Sequence, residues 1–213
     1  MAAKHRPARA GPRHREEADV EFGRIVAFSD GVFAIAITLL VLNLEIPQTP
    51  QELSDLFSES SGDFFAYAIS FAVLGRFWVL HHNFFSGVER FDRRLMTINL
   101  VYLAWVTVTP FATGVFGELT DEPEAIAIYA GAIAALSATG ALMRIYALRA
   151  GLMYEEAAKR EPYGLWSPWR FAIPLVFLTS IPVAYLSPNL APLVWLGSFL
   201  VGWTAPDEKP EPG

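Results

Sequence analysis

Four ionisable side chains stand where an apolar residue would be expected. Asp30 lies inside the apolar run 24–44, and Arg76, His81 and His82 lie inside the run 62–85. Such groups are costly in an apolar segment of membrane length, so they turn toward protein or a water-filled path. An Asp and a His at one depth can titrate in turn, which is the chemistry of a proton relay. The same carboxylate can pair with a guanidinium or an imidazole and clamp two helices together, lowering the penalty each carries alone. Ser29, Trp78 and Asn83 add neutral hydrogen-bonding groups nearby, which favours the clamp. His81 and His82 also offer two imidazoles to zinc. Neighbours on a helix diverge by about 100°, however, so this pair chelates one ion poorly and no metal site is expected.

Other chemistries lack their residues. The chain has no cysteine, which removes disulfides, thiolate catalysis and Cys-ligated metals. No nucleophile is paired with a base in a recognisable motif, and there is no Gly-rich phosphate loop. An enzyme is therefore not expected, and neither is a cofactor.

The elements that carry these residues follow from composition. The chain has 213 residues, of which 53% are hydrophobic and only 18% charged, too little charge for the surface of a soluble domain. Its mean hydropathy is +0.33. Spans of about 20 apolar residues would use most of this length and leave short loops. Six such runs can be marked, at 24–44, 62–85, 95–117, 125–148, 169–186 and 189–203. The last two are short and broken by Pro174, Pro182, Pro188 and Pro192; two full spans are favoured over one re-entrant unit. The fold expected is an all-α membrane protein with six transmembrane helices.

Loop charges orient the spans. Glu45, Glu52, Asp55 and Glu59, with Asp63 at the very start of run two, mark the connection between runs one and two, and Glu118, Asp121, Glu122 and Glu124 that between runs three and four, with no Lys or Arg in either loop. Basic residues collect in the N-terminal tail, at Arg90, Arg93 and Arg94, and at Arg149, Lys159 and Arg160. By the positive-inside rule both termini are cytoplasmic, in a multi-pass protein of the cell membrane. Trp166, Trp169 and Trp203 suit headgroup anchors near span ends, and residues 49–57 suit a short amphipathic helix on the outer surface. The basic, Ala- and Pro-rich start reads as a disordered tail beside the first span rather than a nucleic-acid arm or cleaved signal peptide. The expected division is a tail at 1–23, a membrane domain at 24–204 and a short C-terminal tail at 205–213.

The first span has two faces. At about 100° per residue, Phe28, Ile35, Leu39 and Leu42 share one narrow sector, with Thr38 at its edge. Asp30 points about 140° from Ile35, with Ser29 beside it. Periodicity alone leaves the apolar ridge free to face lipid, another subunit or a pore.

The string from Arg24 to Leu42, with its Phe28-Ser29-Asp30 triplet, resembles the first helix of the transmembrane protein 175 family of potassium channels, in its prokaryotic six-helix form. The likeness extends to Trp78-Val79-Leu80-His81-His82-Asn83 and to the six-span plan. The resemblance implies a homotetramer in the lipid bilayer, with potassium ions passing along a central pore lined by the first helix. It places an apolar constriction at Ile35, Leu39 and Leu42, with the Thr38 hydroxyl favouring potassium. It also assigns Arg24, Ser29 and Asp30 to a clamp whose partners in this chain would be His81, His82 and Asn83. The competing function is a proton-coupled secondary transporter working through Asp30 and His81 or His82.

Overall fold

In the computed structural model the described residues are 12–51, 61–160 and 171–195. They form helices α1 (Pro12–Leu39), α2 (Ser61–Ser86), α3 (Arg93–Glu118), α4 (Pro123–Arg149), α5 (Glu155–Arg160) and α6 (Ala172–Leu186). A 3-10 turn, Leu40–Asn43, extends α1. A second, Pro188–Leu190, follows α6 and leads into a helical stretch at 191–195. The fold is all-helical, and among the described residues there is one isolated bridge, between Val88 and Met153.

Four of these helices are long and apolar enough to cross a bilayer: the stretch Val20–Asn43 and the spans within α2, α3 and α4. The second, third and fourth expected runs agree with α2, α3 and α4 to within two residues at each end. α1 reaches back to Pro12, well before the expected start at residue 24. α6 has 15 residues, about 22 Å of helix against a hydrocarbon core of about 30 Å. The far part of the expected sixth span, Trp166, Trp169, Trp203, most of the outer amphipathic segment and both chain ends lie outside the described residues.

Local chemistry sets the helix ends. Asp92 caps α3 by accepting from the Leu95 N–H at 2.8 Å, and its other oxygen accepts from the Tyr146 hydroxyl at 2.5 Å. Burial works against ionisation of this carboxyl, but the Tyr146 and Leu95 hydrogen bonds outweigh it and hold the pKa below its ordinary value. Pro123 starts α4 without forfeiting a helical hydrogen bond. α4 ends where Gly151 takes a left-handed conformation (φ 63°), which glycine adopts at no steric cost. Leu152 N–H then returns to Ala147 O and Gly151 N–H to Leu148 O. The loop that follows pairs with the α2–α3 connection, since Glu89 and Arg90 donate to Leu152 O and Tyr154 donates to Gly87 O.

α3 is the hub. It packs against α1, α2 and α4, while α4 carries α6 on another side. Lipid is as apolar as a leucine, so burial alone does not hold such helices together; tight packing and interhelical hydrogen bonds do. Ser70 of α2 donates to the Tyr129 hydroxyl of α4 at 3.0 Å, and Thr113 of α3 donates to Ser70 at 2.9 Å. Around this three-helix junction the rings of Phe116, Tyr129, Phe177 and Trp195 pack in contact, with Phe177 and Trp195 stacked. Trp195 donates its indole N–H to Ser180 at 2.8 Å, tying residues 191–195 to α6.

Candidate functional site

α1 is two-faced in three dimensions. Ser29, Phe33, Ala36 and Leu40 are buried against the rest of the chain, following the three-and-four spacing of one helical stripe. On the other side Phe28, Ile35, Leu39 and Leu42 are 58%, 61%, 42% and 74% exposed, so among the described residues nothing in this protomer covers the ridge. Thr38 is exposed at the ridge edge, and its hydroxyl donates to Ile35 O at 2.8 Å.

The buried stripe carries a continuous hydrogen-bonded chain across three helices. Ser29 donates to the Ile25 carbonyl one turn back, at 2.9 Å. Its proton thus committed, the Ser29 oxygen accepts from Asn99 Nδ2 of α3 at 3.0 Å. Asn99 Oδ1 then faces His81 Nε2 of α2 at 2.9 Å. An amide oxygen only accepts, so Nε2 of His81 carries the proton. The imidazole is wedged among Phe33, Phe85 and Tyr102, with ring centroids 5.5, 4.6 and 5.3 Å away.

Asp30 has a different partner from the one its charge suggests. Trp78 Nε1 donates to Asp30 Oδ1 at 2.9 Å, so an indole N–H stands where a guanidinium or imidazole was expected. Helical spacing explains this. On α2, Arg76 points about 160° from Trp78, and His81, about 60° away and one turn nearer the α2 end, turns to Asn99. His82 is exposed and lies 5.9 Å from the Trp78 ring. Arg24 and Asn83 are exposed as well. Within one protomer the fold therefore brings Ser29 and His81 together through Asn99, and Asp30 to Trp78, while Arg24, His82 and Asn83 lie outside both groups. Arg76 is half-buried, with its Nε buried and unpartnered.

Among the interface polar residues not singled out from the sequence, two lie close to this site. Asn99 joins all three helices, and its signal was a lone amide inside the apolar run 95–117. Arg144 of α4 donates to the Leu80 carbonyl at 3.3 Å and lies over the Phe84 ring at 5.4 Å; its signal was a charge within the run 125–148. Among the described residues no group of three His, Asp or Glu side chains is placed to hold a metal ion.

The arrangement separates two tasks on one helix. One face is fastened to α2 and α3, and the other presents a continuous apolar ridge bordered by a hydroxyl. Comparison with known proteins gives this geometry a family. The family model described as "Endosomal/lysosomal potassium channel TMEM175" matches residues 24–110, which hold α1 from Arg24 onward, α2 and the first two thirds of α3. A protein of Chamaesiphon minutus named a potassium channel is 36% identical over 185 residues, covering 83% of this chain and 87% of that one. One of Streptomyces collinus, also named a potassium channel, is 45% identical over 107 residues, about half of each chain. The crystal structure of a lysosomal potassium-selective channel TMEM175 homolog from Chamaesiphon minutus superposes with a TM-score of 0.71 at 30% identity, covering 87% of this chain and 98% of that one. With the fold, the first-helix sequence and nearly the whole length of a relative all in agreement, this multi-pass membrane protein belongs to the TMEM175 potassium channel family.

Proposed function

We propose that the chain conducts potassium ions through a central pore built by four copies, each lining it with the exposed face of α1. The observation that carries this reading is the uncovered ridge Phe28, Ile35, Leu39 and Leu42 on a helix whose opposite face is fastened to α2 and α3. The names of the relatives from Chamaesiphon minutus and Streptomyces collinus supply the ion. Six transmembrane helices per subunit complete the proposed architecture, with α6 and the run 189–203 as the fifth and sixth. Both termini are placed in the cytoplasm of a cell whose surface membrane holds the channel.

The chemistry of the ridge suits conduction by dehydration. Four Ile35 and four Leu39 side chains facing one axis form a collar that expels water, and slight widening lets a partly hydrated ion pass. Potassium holds its water less tightly than sodium, so such a collar penalises sodium more. The Thr38 hydroxyls stand next to the collar and replace part of the lost hydration. At the α1 C-terminal end of the bundle, Glu45, Glu118 and Asp121 are exposed and raise the local cation concentration at that entrance, an effect that salt screens.

Flux from liposomes holding the purified protein tests the reading. A potassium gradient alone should drive flux that persists when no proton gradient is present. Flux that requires a proton gradient, or that saturates at slow turnover, overturns the channel in favour of a proton-coupled carrier.

A further inference from the structure

At its outer end α1 changes winding. The α-helix stops at Leu39, and Leu40–Asn43 form a 3-10 turn closed by Leu44 N–H to Val41 O at 3.1 Å. Successive residues turn by about 120° in a 3-10 helix, so positions three apart eclipse. Leu42 therefore stands directly over Leu39, and Asn43 over Leu40. Burial follows that register: Leu39 and Leu42 are both exposed on the ridge, Leu40 is wholly buried, and Asn43 turns inward with it. Continued α-winding would instead rotate Leu42 about 60° away from Leu39.

Inward-facing Asn43 meets α3 at its proline. Asn43 Nδ2 donates to the Pro110 carbonyl at 2.9 Å. The approach depends on Gly114, one turn along α3, where an added Cβ would stand 2.9 Å from Asn43 Oδ1. A half-buried amide bonded to a backbone carbonyl fixes direction, which leucine packing alone does not.

We infer that Asn43 is a positioning residue for the outer end of the pore wall: its amide, latched to Pro110 beside Gly114, holds residues 40–43 in the 3-10 turn that stacks Leu42 over Leu39. This inference rests on the proposed reading, in which that ridge faces the ion path. The latch determines whether the outermost ring of leucines adds to the constriction or turns out of it, and so acts on ion discrimination without touching the ion.

The chain's lack of cysteine makes the register measurable, since Leu39→Cys and Leu42→Cys each introduce a single thiol. Each is labelled with a small charged methanethiosulfonate in the full-length protein, alone and combined with Asn43→Leu or with Gly114→Ala. Asn43→Leu keeps the size and removes the donor, whereas Gly114→Ala keeps Asn43 and crowds it. Both are expected to change the Leu42→Cys to Leu39→Cys labelling ratio in the same direction by about fivefold, the bias one neutral hydrogen bond supplies. Combining the two changes should add little, because both act through one bond. If Asn43→Leu fails to fold, Gly114→Ala carries the test. Labelling ratios that stay at the wild-type value overturn the latch. The same variants, without the cysteines, should move the potassium-over-sodium reversal potential toward zero; an unmoved potential beside a shifted ratio reduces Asn43 to a structural role and overturns the inference as well. Failure of the reading beneath it looks different, because the wild-type protein would then carry no potassium flux while the labelling ratio still answered to Asn43.

Discussion

Asn99 of α3 donates to the Ser29 hydroxyl of α1 across 3.0 Å, with both side chains almost wholly buried. The bond makes α1 an anchored helix, because the amide's other end holds His81 of α2. A helix lining an ion path has one face in water or against another subunit. Its hold on its own protomer must come from the remaining face, and polar bonds in an apolar setting supply direction that dispersion contacts lack.

Loss of that amide should be felt chiefly at His81. Asn99→Leu leaves the imidazole N–H buried without an acceptor, which costs about 1–3 kcal/mol. Ser29→Ala strands one amide hydrogen of Asn99 and costs less, since the Ser29 proton was spent on its own helix. The double variant should melt close to Asn99→Leu alone, because both changes break one network. Thermal melting of the detergent-solubilised protein checks the order; additive shifts would mean the two side chains act independently.

Asp30→Asn separates the two roles once open to Asp30. The amide oxygen still accepts from Trp78, so the α1–α2 tie and potassium flux should both persist. A carrier that passes protons through Asp30 would lose its coupled flux in this variant. Trp78→Phe, by contrast, leaves the carboxylate without its indole donor and should lower the melting temperature while Asp30→Asn does not.

Replacing Ile35 or Leu39 with Asn should hydrate the collar. The expected result is a several-fold rise in basal potassium flux or a loss of preference over sodium, measured in liposomes. Wild-type flux and selectivity in both variants would place the ridge against lipid.

Acid should weaken the cap of α3. The folded pKa of Asp92 is depressed, so its stabilisation is complete above the ordinary value of 3.8 and is lost as pH falls through the depressed value. Tyr146→Phe removes one of the two main bonds responsible. The melting difference between wild type and Tyr146→Phe should be largest near neutral pH and shrink toward strong acid. A difference that does not vary with pH would show that Tyr146 contributes by packing only.

Much of this protein was legible in its residues because membrane segments obey few rules. Long apolar runs separated by charged loops placed α2, α3 and α4 to within two residues, and 100° spacing separated the Ile35–Leu39 ridge from Ser29. Both are local properties, carried by neighbours along one helix. Tertiary structure decided which polar groups meet. Charge alone offers Asp30 a pairing with Arg76, His81 or His82, but the relative rotation of α1 and α2 brings Trp78 to it instead. The family resemblance groups Ser29 with His81, but only the packing of α3 between them shows that Asn99 makes the connection. The change of winding at Leu40 is likewise invisible to periodicity, since a four-residue 3-10 turn depends on Pro110 and Gly114, about 70 residues away along the chain.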